Sequence, residues 1–507
     1  MVQRDAITRR DFLAGASAAG VLAAVGPAGK ARAASTPEQR VVAYPGAVNS
    51  LDPIVDFSNP AISMQAHLFE GLVDYEGPDL KLVPKLATSW STAGTAWTFQ
   101  LRSGVKWHDR TAFTAEDVRY SFDVAKSDPA STKKGFVDSI DRVEVLDPLT
   151  LRITTKEVNA ALLSSLAYLY IVPRHVRENL GRDTFGKQPI GTGPYKLASW
   201  RIREEVVLER NDEYWGGPPE PKRIVQRAIP EAATRLAELK TGGVNIVCGL
   251  PVQFVPVVRA DANLQIYEAP GVRGVYYPIQ TKKGPLRDKR VRQALNFAVD
   301  REAIVQQILE GYGVVRTGVM AKGRPGFNAN AMPQYQFDPE RAKALLAEAG
   351  ARNVEFTWDV TKGFAVKDTE ITEFVRNQLG KVGVKVNLNL LDIGKLAQRR
   401  AAGDFDMTFW FWALQSDPDV MLTGIGLQSW GVYYSNPRFD ELLPKGRLTT
   451  VLEQREAVYR EIYQVLVDDP PFLYTHAQSE LYGVRKGVDW RPFPFAGNAG
   501  FTYYHKR

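Results

Sequence analysis

Trp97-Thr98-Phe99-Gln100-Leu101-Arg102-Ser103-Gly104-Val105-Lys106-Trp107-His108-Asp109, followed by Phe113-Thr114-Ala115-Glu116-Asp117-Val118, changes its hydrophobic period partway along. Residues 95–101 (TAWTFQL) are rich in aromatic and β-branched side chains and read as a strand. Thr114, with Asp117 three residues on, then caps a helix whose Val118, Phe122 and Ala125 share one face. A strand leading into a capped helix is the unit of a mixed α/β chain, and the same alternation recurs outward from it. Asp288 caps a second helix with Val291, Leu295 and Ala298 on one side, and Asp300 restarts it through Ile304 and Ile308. Asp338-Pro339, then Leu345, Leu346 and Gly350, describe a third, with proline in the first turn and glycine past the end. Helical patterns at 367–380 and 450–467 flank β-rich runs at 385–391 and 407–412. No internal repeat and no low-complexity linker follows Ala34, so the lobes are expected to be joined by ordered crossovers.

The length of 507 residues calls for two or three lobes, and 44% hydrophobic, 10% aromatic and 24% charged residues are the proportions of a packed globular protein. The net charge of +7 is small for such a chain, and no run of five basic residues offers a nucleic-acid patch. The only cysteine, Cys248, excludes an intramolecular disulfide and a cysteine-based zinc site.

The chain begins with Thr8-Arg9-Arg10-Asp11-Phe12-Leu13, a short apolar run to Val25, and then Ala31-Arg32-Ala33. Paired arginines, a weakly apolar stretch too short to span a bilayer and an Ala-x-Ala end describe a twin-arginine export signal over residues 1–33. Arg9, Arg10, Phe12, Leu13, Ala31 and Ala33 carry it, with cleavage expected after Ala33. Before Ala34 stand five basic residues against two acidic ones, so the exported chain keeps +4 of the +7. No cysteine lies near the cut to accept a lipid, which points to a periplasmic protein without an anchor.

Catalytic signatures are absent from the sequence. There is no Gly-x-Ser-x-Gly elbow, and none of the four Gly-Lys pairs is followed by Ser or Thr as a P-loop requires. Gly191-Thr192-Gly193-Pro194 reads as a structural turn, and His108-Asp109 as a local turn contact rather than an acid/base couple. The five histidines never pair at metal-ligand spacing, so no metal and no cofactor is expected.

Several segments together carry a resemblance: Phe69-Glu70-Gly71-Leu72-Val73, Leu82 to Trp90, the opening stretch, Pro189-Ile190-Gly191-Thr192-Gly193-Pro194-Tyr195, Arg210-Asn211-Asp212-Glu213-Tyr214-Trp215, Arg290 to Arg301, Asp338 to Leu346 and Asp468-Asp469-Pro470-Pro471. In this order they resemble the family-5 solute-binding proteins of ABC importers, the oligopeptide, dipeptide and nickel binding group. The resemblance implies an α/β, two-lobed periplasmic binding protein fold with hinge crossovers and an extra subdomain inserted in lobe one. Carried over, lobe one comprises 34–60, 186–278 and 480–507, the inserted subdomain 61–185, and lobe two 279–479. The crossovers are expected near 276–281 and 473–480. Ligand then lies between lobes and favours the closed state in proportion to its preference for it.

In the family's peptide binders a lobe-two strand ends in a tryptophan, and an aspartate three residues later pairs with the ligand's ammonium group. The matching stretch here is Trp410-Phe411-Trp412-Ala413-Leu414-Gln415-Ser416-Asp417-Pro418-Asp419, which places Gln415 at the ammonium position. A buried cation without its counter-charge costs several kcal/mol, so a neutral amide there argues against a strictly ammonium-ended peptide. Asp417 substitutes if the loop bends inward; otherwise Asp417 and Asp419 cap the following helix. Trp410 and Trp412 share a strand face and both line the cleft or both are core, Trp412 being the favoured wall. Trp430, Tyr433 and Tyr434 add aromatic surface nearby, and Asn49 is the lobe-one candidate. Asn245 replaces a usual family aspartate and reads as structural.

The resulting expectation is a monomeric periplasmic receptor that delivers a peptide or peptide-like solute to an ABC permease with ATPases on separate chains. It is no enzyme and does not bind nucleic acid. The alternatives are a receptor for opines, oligosaccharides or a nickel chelate, a chemoreceptor of the same family, or an exported cofactor-bearing enzyme.

Overall fold

The helices and strands form where local chemistry asks for them. In the computed structural model, which describes residues 38–77, 80–322, 324–362, 365–412, 417–423 and 430–492, Thr114 and Asp117 close a capping box on the helix Ala115–Ser127. Asp288 accepts from Arg290 N at the start of Lys289–Phe297, and Asp300 accepts from Ala303 N at the start of Arg301–Ala303. Asp338 accepts from Arg341 N ahead of Pro339–Glu348. The 407–412 run is strand only at Trp410–Trp412, Met407 making isolated bridges to Ile279 and Trp358. The export-signal residues lie outside the described residues.

A nine-stranded sheet organises the molecule, in the order Trp410–Trp412, Leu264–Pro278, Phe472–Arg485, Ile246–Cys248, Gln39–Tyr44, Arg223–Ala228, Glu205–Arg210 and Tyr195–Arg201, with Gly313–Val315 also paired to Phe472–Arg485. Gln39–Tyr44 runs parallel to Arg223–Ala228 and Ile246–Cys248, while the other pairings are antiparallel. Parallel strands of this kind are buried on both faces. Val42 and Tyr44 enter one hydrophobic cluster while Val41 and Ala43 enter another, as the two-residue period of a strand requires. A third cluster, built on Tyr277, Leu295, Trp358 and Val375, belongs to the 275–473 region. Residues 87–155 carry a separate four-stranded antiparallel sheet, and Glu355–Val360 pairs in parallel with Lys385–Leu390.

Two strands are far longer than the rest. Leu264–Pro278 and Phe472–Arg485 run antiparallel along each other, 264–269 against 480–485 and 273–278 against 472–478. The register breaks between Ala269 and Arg273, opposite Gln478 and Glu480, leaving Ser479 without a ladder partner. Ile246–Cys248 adds to the ladder on one side of the break, and Trp410–Trp412 and Gly313–Val315 on the other.

Candidate functional site

The motifs that recur in sequence order converge in space around Glu70. Its buried carboxylate accepts from Tyr214 Oη at 2.7 Å, Trp215 Nε1 at 2.8 Å and Thr192 Oγ1 at 3.0 Å. Burial pushes its pKa up, and these donors oppose the rise. A Cβ on Gly191 would lie 1.7 Å from Leu68 O, and one on Gly193 would lie 2.5 Å from His67 O, so both positions admit only glycine. His108 staples the same turn: Gly191 N donates to Nδ1 at 3.1 Å and Nε2 donates to Gly193 O at 3.0 Å. Those roles require a neutral ring, and burial lowers its pKa to about 4. Asp109 turns away to Thr111 and to His175 at 2.7 Å, so His108-Asp109 forms no couple. Asn245 Oδ1 accepts from Val41 N at 2.7 Å, a structural link between two sheet strands.

Beside the register break lies a cavity of about 530 Å³. One wall is the loop after Ile246–Cys248, residues 249–253, together with 478–481 of the crossover strand; the other is Tyr312, Lys362 and residues 365–370. Leu250, Val252 and Leu481 are buried in its lining, as are Asp368, Gln478 and Ser479. Gln478 Oε1 and Ser479 Oγ have no hydrogen-bond partner although both residues are only 5% exposed. Lys367 pairs with Glu370 at 3.1 Å, and Lys362 stands exposed at the rim. None of these residues stood out in the sequence, because what joins them is the register of two strands more than two hundred positions apart.

The residues read from sequence as ligand contacts scatter. Asn49 is exposed. Trp410 is half-buried with the Arg400 guanidinium 3.5 Å over its ring, an arrangement internal to its own region. Trp412 occupies the strand position opposite Gly274, and Trp430 opens the short helix Trp430–Tyr433. Gln415 lies outside the described residues. Tyr434 is 2% exposed and packs edge-on against Phe439, which makes it core.

Asp417 takes the second of the two roles open to it. Arg455 donates to it twice, Nη2 to Oδ1 at 2.8 Å and Nη1 to Oδ2 at 3.0 Å, and Asp419 N donates to Oδ1 at 2.8 Å. Ser164 Oγ adds a fourth bond at 3.1 Å. With its charge compensated and its lone pairs filled, Asp417 supplies no counter-ion to a ligand. Asp419 is held by Arg447 Nε at 3.2 Å and Tyr459 Oη at 3.1 Å.

Among the described residues no group of His, Cys, Asp or Glu is arranged to hold a metal, and no helix is long and apolar enough to cross a membrane. Residues 81–431 match the profile of the bacterial extracellular solute-binding proteins, family 5 Middle. The chain is 28% identical over 443 residues to heme-binding protein A of Haemophilus influenzae, covering 80% of this chain and 81% of that protein. It is 27% identical over 454 residues to the glutathione-binding protein GsiB of Pectobacterium atrosepticum, with 86% and 87% covered. Its fold superposes with a TM-score of 0.76 on the ABC transporter-associated periplasmic binding protein DppA of Helicobacter pylori in complex with the peptide STSA, at 26% identity over 88% of this chain and 94% of that one.

Proposed function

The chain belongs to the bacterial extracellular solute-binding proteins of family 5, the binding components of ABC importers, and from that membership we propose that it captures a peptide or peptide-like solute between two lobes and delivers it to a membrane permease. The observation that carries the reading is the 530 Å³ cavity, whose walls come from opposite sides of the break in the crossover ladder. A solute touching both walls stabilises the arrangement that brings them together, and a hinge of two strands lets each side move as a packed body. The volume suits a solute of a few residues.

The boundaries of the two lobes and the inserted subdomain are those drawn from the resemblance, with crossovers near 276–281 and 473–480; the register break at Ala269–Arg273 comes ahead of the first crossover and stands opposite the end of the second. Trp412 and Gln415 are proposed as ligand contacts on the pattern of the family's peptide binders. The chain itself is non-catalytic, and a permease with ATPases on separate chains completes the importer. It leaves the cytoplasm by the twin-arginine route, loses residues 1–33 and acts as an unanchored periplasmic monomer; Arg9, Arg10 and the distance of Cys248 from the cut support this.

Thermal-shift screening of the exported chain against di- and tripeptides, opines, oligosaccharides and nickel chelates, with small-angle scattering on each hit, tests the proposal. A hit that raises the melting temperature and compacts the protein is the expected result. A screen without any hit, and without compaction, overturns it.

A further inference from the structure

A second cavity, of about 550 Å³, lies between the turn 284–288 and the loop 349–354. Val291 and Val354 line it and are buried in one hydrophobic cluster, and Arg290 Nη1 donates to Glu348 O at 2.7 Å between the two segments, so both walls ride on a single packed body. Arg287 stands exposed on one wall and Arg352 on the other. Neither guanidinium makes an ion pair or a side-chain hydrogen bond among the described residues, and the exposed ammonium of Lys283, next to the groove, makes none either. The carboxylates on these segments and at their ends are already engaged: Asp288 by Arg290 at 2.6 Å, Glu348 by Arg341 at 2.9 Å and Glu355 by Lys385 at 2.9 Å. The groove is therefore a preformed recess with an apolar floor and two uncompensated positive walls. Val354 comes just before the strand Glu355–Val360, whereas Lys362 and 365–370, which line the crossover cavity, follow it. A six-residue strand rising about 3.3 Å per residue sets the two cavities about 20 Å apart, at opposite ends.

We propose that this groove is a docking notch for an acidic protein segment, whose carboxylates pair with Arg287 and Arg352 while an apolar side chain between them covers Val291 and Val354. The identity of the partner, the periplasmic face of the permease, rests on the receptor reading above. An exposed ion pair alone contributes little, but an arginine fork holds a carboxylate through two parallel N–H bonds, and the recess adds apolar surface to cover. A recess walled on two sides receives a protruding chain rather than a flat surface. Because every wall belongs to the same packed body, the notch keeps its shape whether the crossover cavity is filled or empty. It supplies affinity and orientation to the encounter, and the recognition of closure is left to other contacts.

The probes are the end-blocked peptide acetyl-Glu-Leu-Glu-Leu-Glu-amide, fluorescently labelled, and its glutamine counterpart. Fluorescence anisotropy with the exported chain should show the acidic peptide binding at least tenfold more tightly than the neutral one, with the advantage falling as salt rises. Arg287→Glu combined with Arg352→Glu should weaken the acidic peptide at least tenfold while leaving the melting temperature and the thermal shift by any solute unchanged; circular dichroism verifies the fold. A saturating solute from the broad screen should leave the acidic peptide's affinity within twofold. Equal binding of the two peptides, binding unmoved by the double charge reversal, or displacement of the peptide by the solute overturns the notch. Displacement by inorganic phosphate makes the groove a small-anion site, and sedimentation with phosphatidylglycerol vesicles without peptide binding makes it a membrane contact; either overturns the docking assignment. In producing cells the doubly changed receptor should lower solute uptake several-fold, and unchanged uptake overturns the permease as partner. The peptide measurement needs no solute, so its failure leaves the receptor reading standing, whereas a broad screen without hits overturns that reading and the permease assignment but not the notch.

Discussion

Arg455 and Asp417 form a two-pronged ion pair, at 2.8 and 3.0 Å, in which both side chains are 8% exposed. The pair fastens the start of the helix Pro418–Thr423 to the helix Leu452–Asp468, and Ser164, from the short helix Leu162–Leu166, closes on the same carboxylate. An aspartate two residues from the ammonium position is thus occupied from within. Arg455→Ala leaves that carboxylate buried and unpaired, which should cost about 3–5 kcal/mol. Urea denaturation checks it, and Arg455→Ala combined with Asp417→Asn should recover much of the loss because the orphaned charge goes with its partner.

Glycine at 191 and glycine at 380 should respond oppositely to one added methyl. Gly191→Ala drives a Cβ to 1.7 Å from Leu68 O and opens the turn that His108 and Glu70 hold, so little soluble protein is expected. Gly380 sits within the helix Asp368–Lys381 with nothing inside 4 Å of its Cβ position. Gly380→Ala should therefore stabilise the chain by about 0.5–1 kcal/mol, the helix-propensity difference. Melting temperatures of the two variants decide it.

His67 and His476 are fully buried, and desolvation lowers both from 6.5 to about 4. A histidine whose folded pKa is depressed binds its proton more readily when unfolded, so its stabilising contribution is complete above pH 6.5 and is lost as pH falls toward 4. The carboxylic acid of Asp74 works the other way: burial raises it from 3.8 to about 6, so its contribution is lost as pH rises through that window. The difference in unfolding free energy between the wild type and His476→Gln isolates the histidine, and it should grow between pH 4.5 and 6.5 and level off above. A flat difference would count against a buried neutral imidazole.

Trp412→Ala should weaken binding of a true ligand tenfold or more, the 1.4 kcal/mol that tenfold represents, while the melting temperature of the free protein changes little. Unchanged affinity in a folded variant returns the ring to the core.

Replacing Arg9 and Arg10 together by lysine should leave the full-length chain in the cytoplasm. Fractionation of producing cells, with the amino-terminal sequence of any periplasmic product, measures both the route and the cut.

Much of the architecture could be read directly from the chain because its determinants are local. Asp288, Asp300 and Asp338 cap the helices they precede, and Thr114 with Asp117 closes the box that its spacing announces. The recurring Phe69-Glu70, Gly191-Thr192-Gly193 and Tyr214-Trp215 motifs look separate in sequence and prove to be one cluster of hydrogen bonds. The site was harder to read. Aromatic residues gathered near 410–434 suggested a wall, yet Tyr434 is core and Trp410 is stacked by Arg400, since a burial pattern does not say which side of a strand faces the ligand. Asp417 showed the right charge, but its partner stands 38 positions downstream on another helix. Gln478 and Ser479 are ordinary polar residues in a strand, and their interest comes from lacking partners, which only packing reveals.

The paired strands Leu264–Pro278 and Phe472–Arg485 tie the middle of the chain to its far end in one ladder. Each contributes rungs to the same ladder on both sides of the break, and the sheet strand Gln39–Tyr44 reaches its neighbours only through Ile246–Cys248 and Arg223–Ala228. A gene fragment encoding 279–479 alone would leave 472–478 without the strand Leu264–Pro278 that it pairs with. Protease nicks in surface loops would leave a complex that stays assembled, since the pieces remain threaded through a shared sheet.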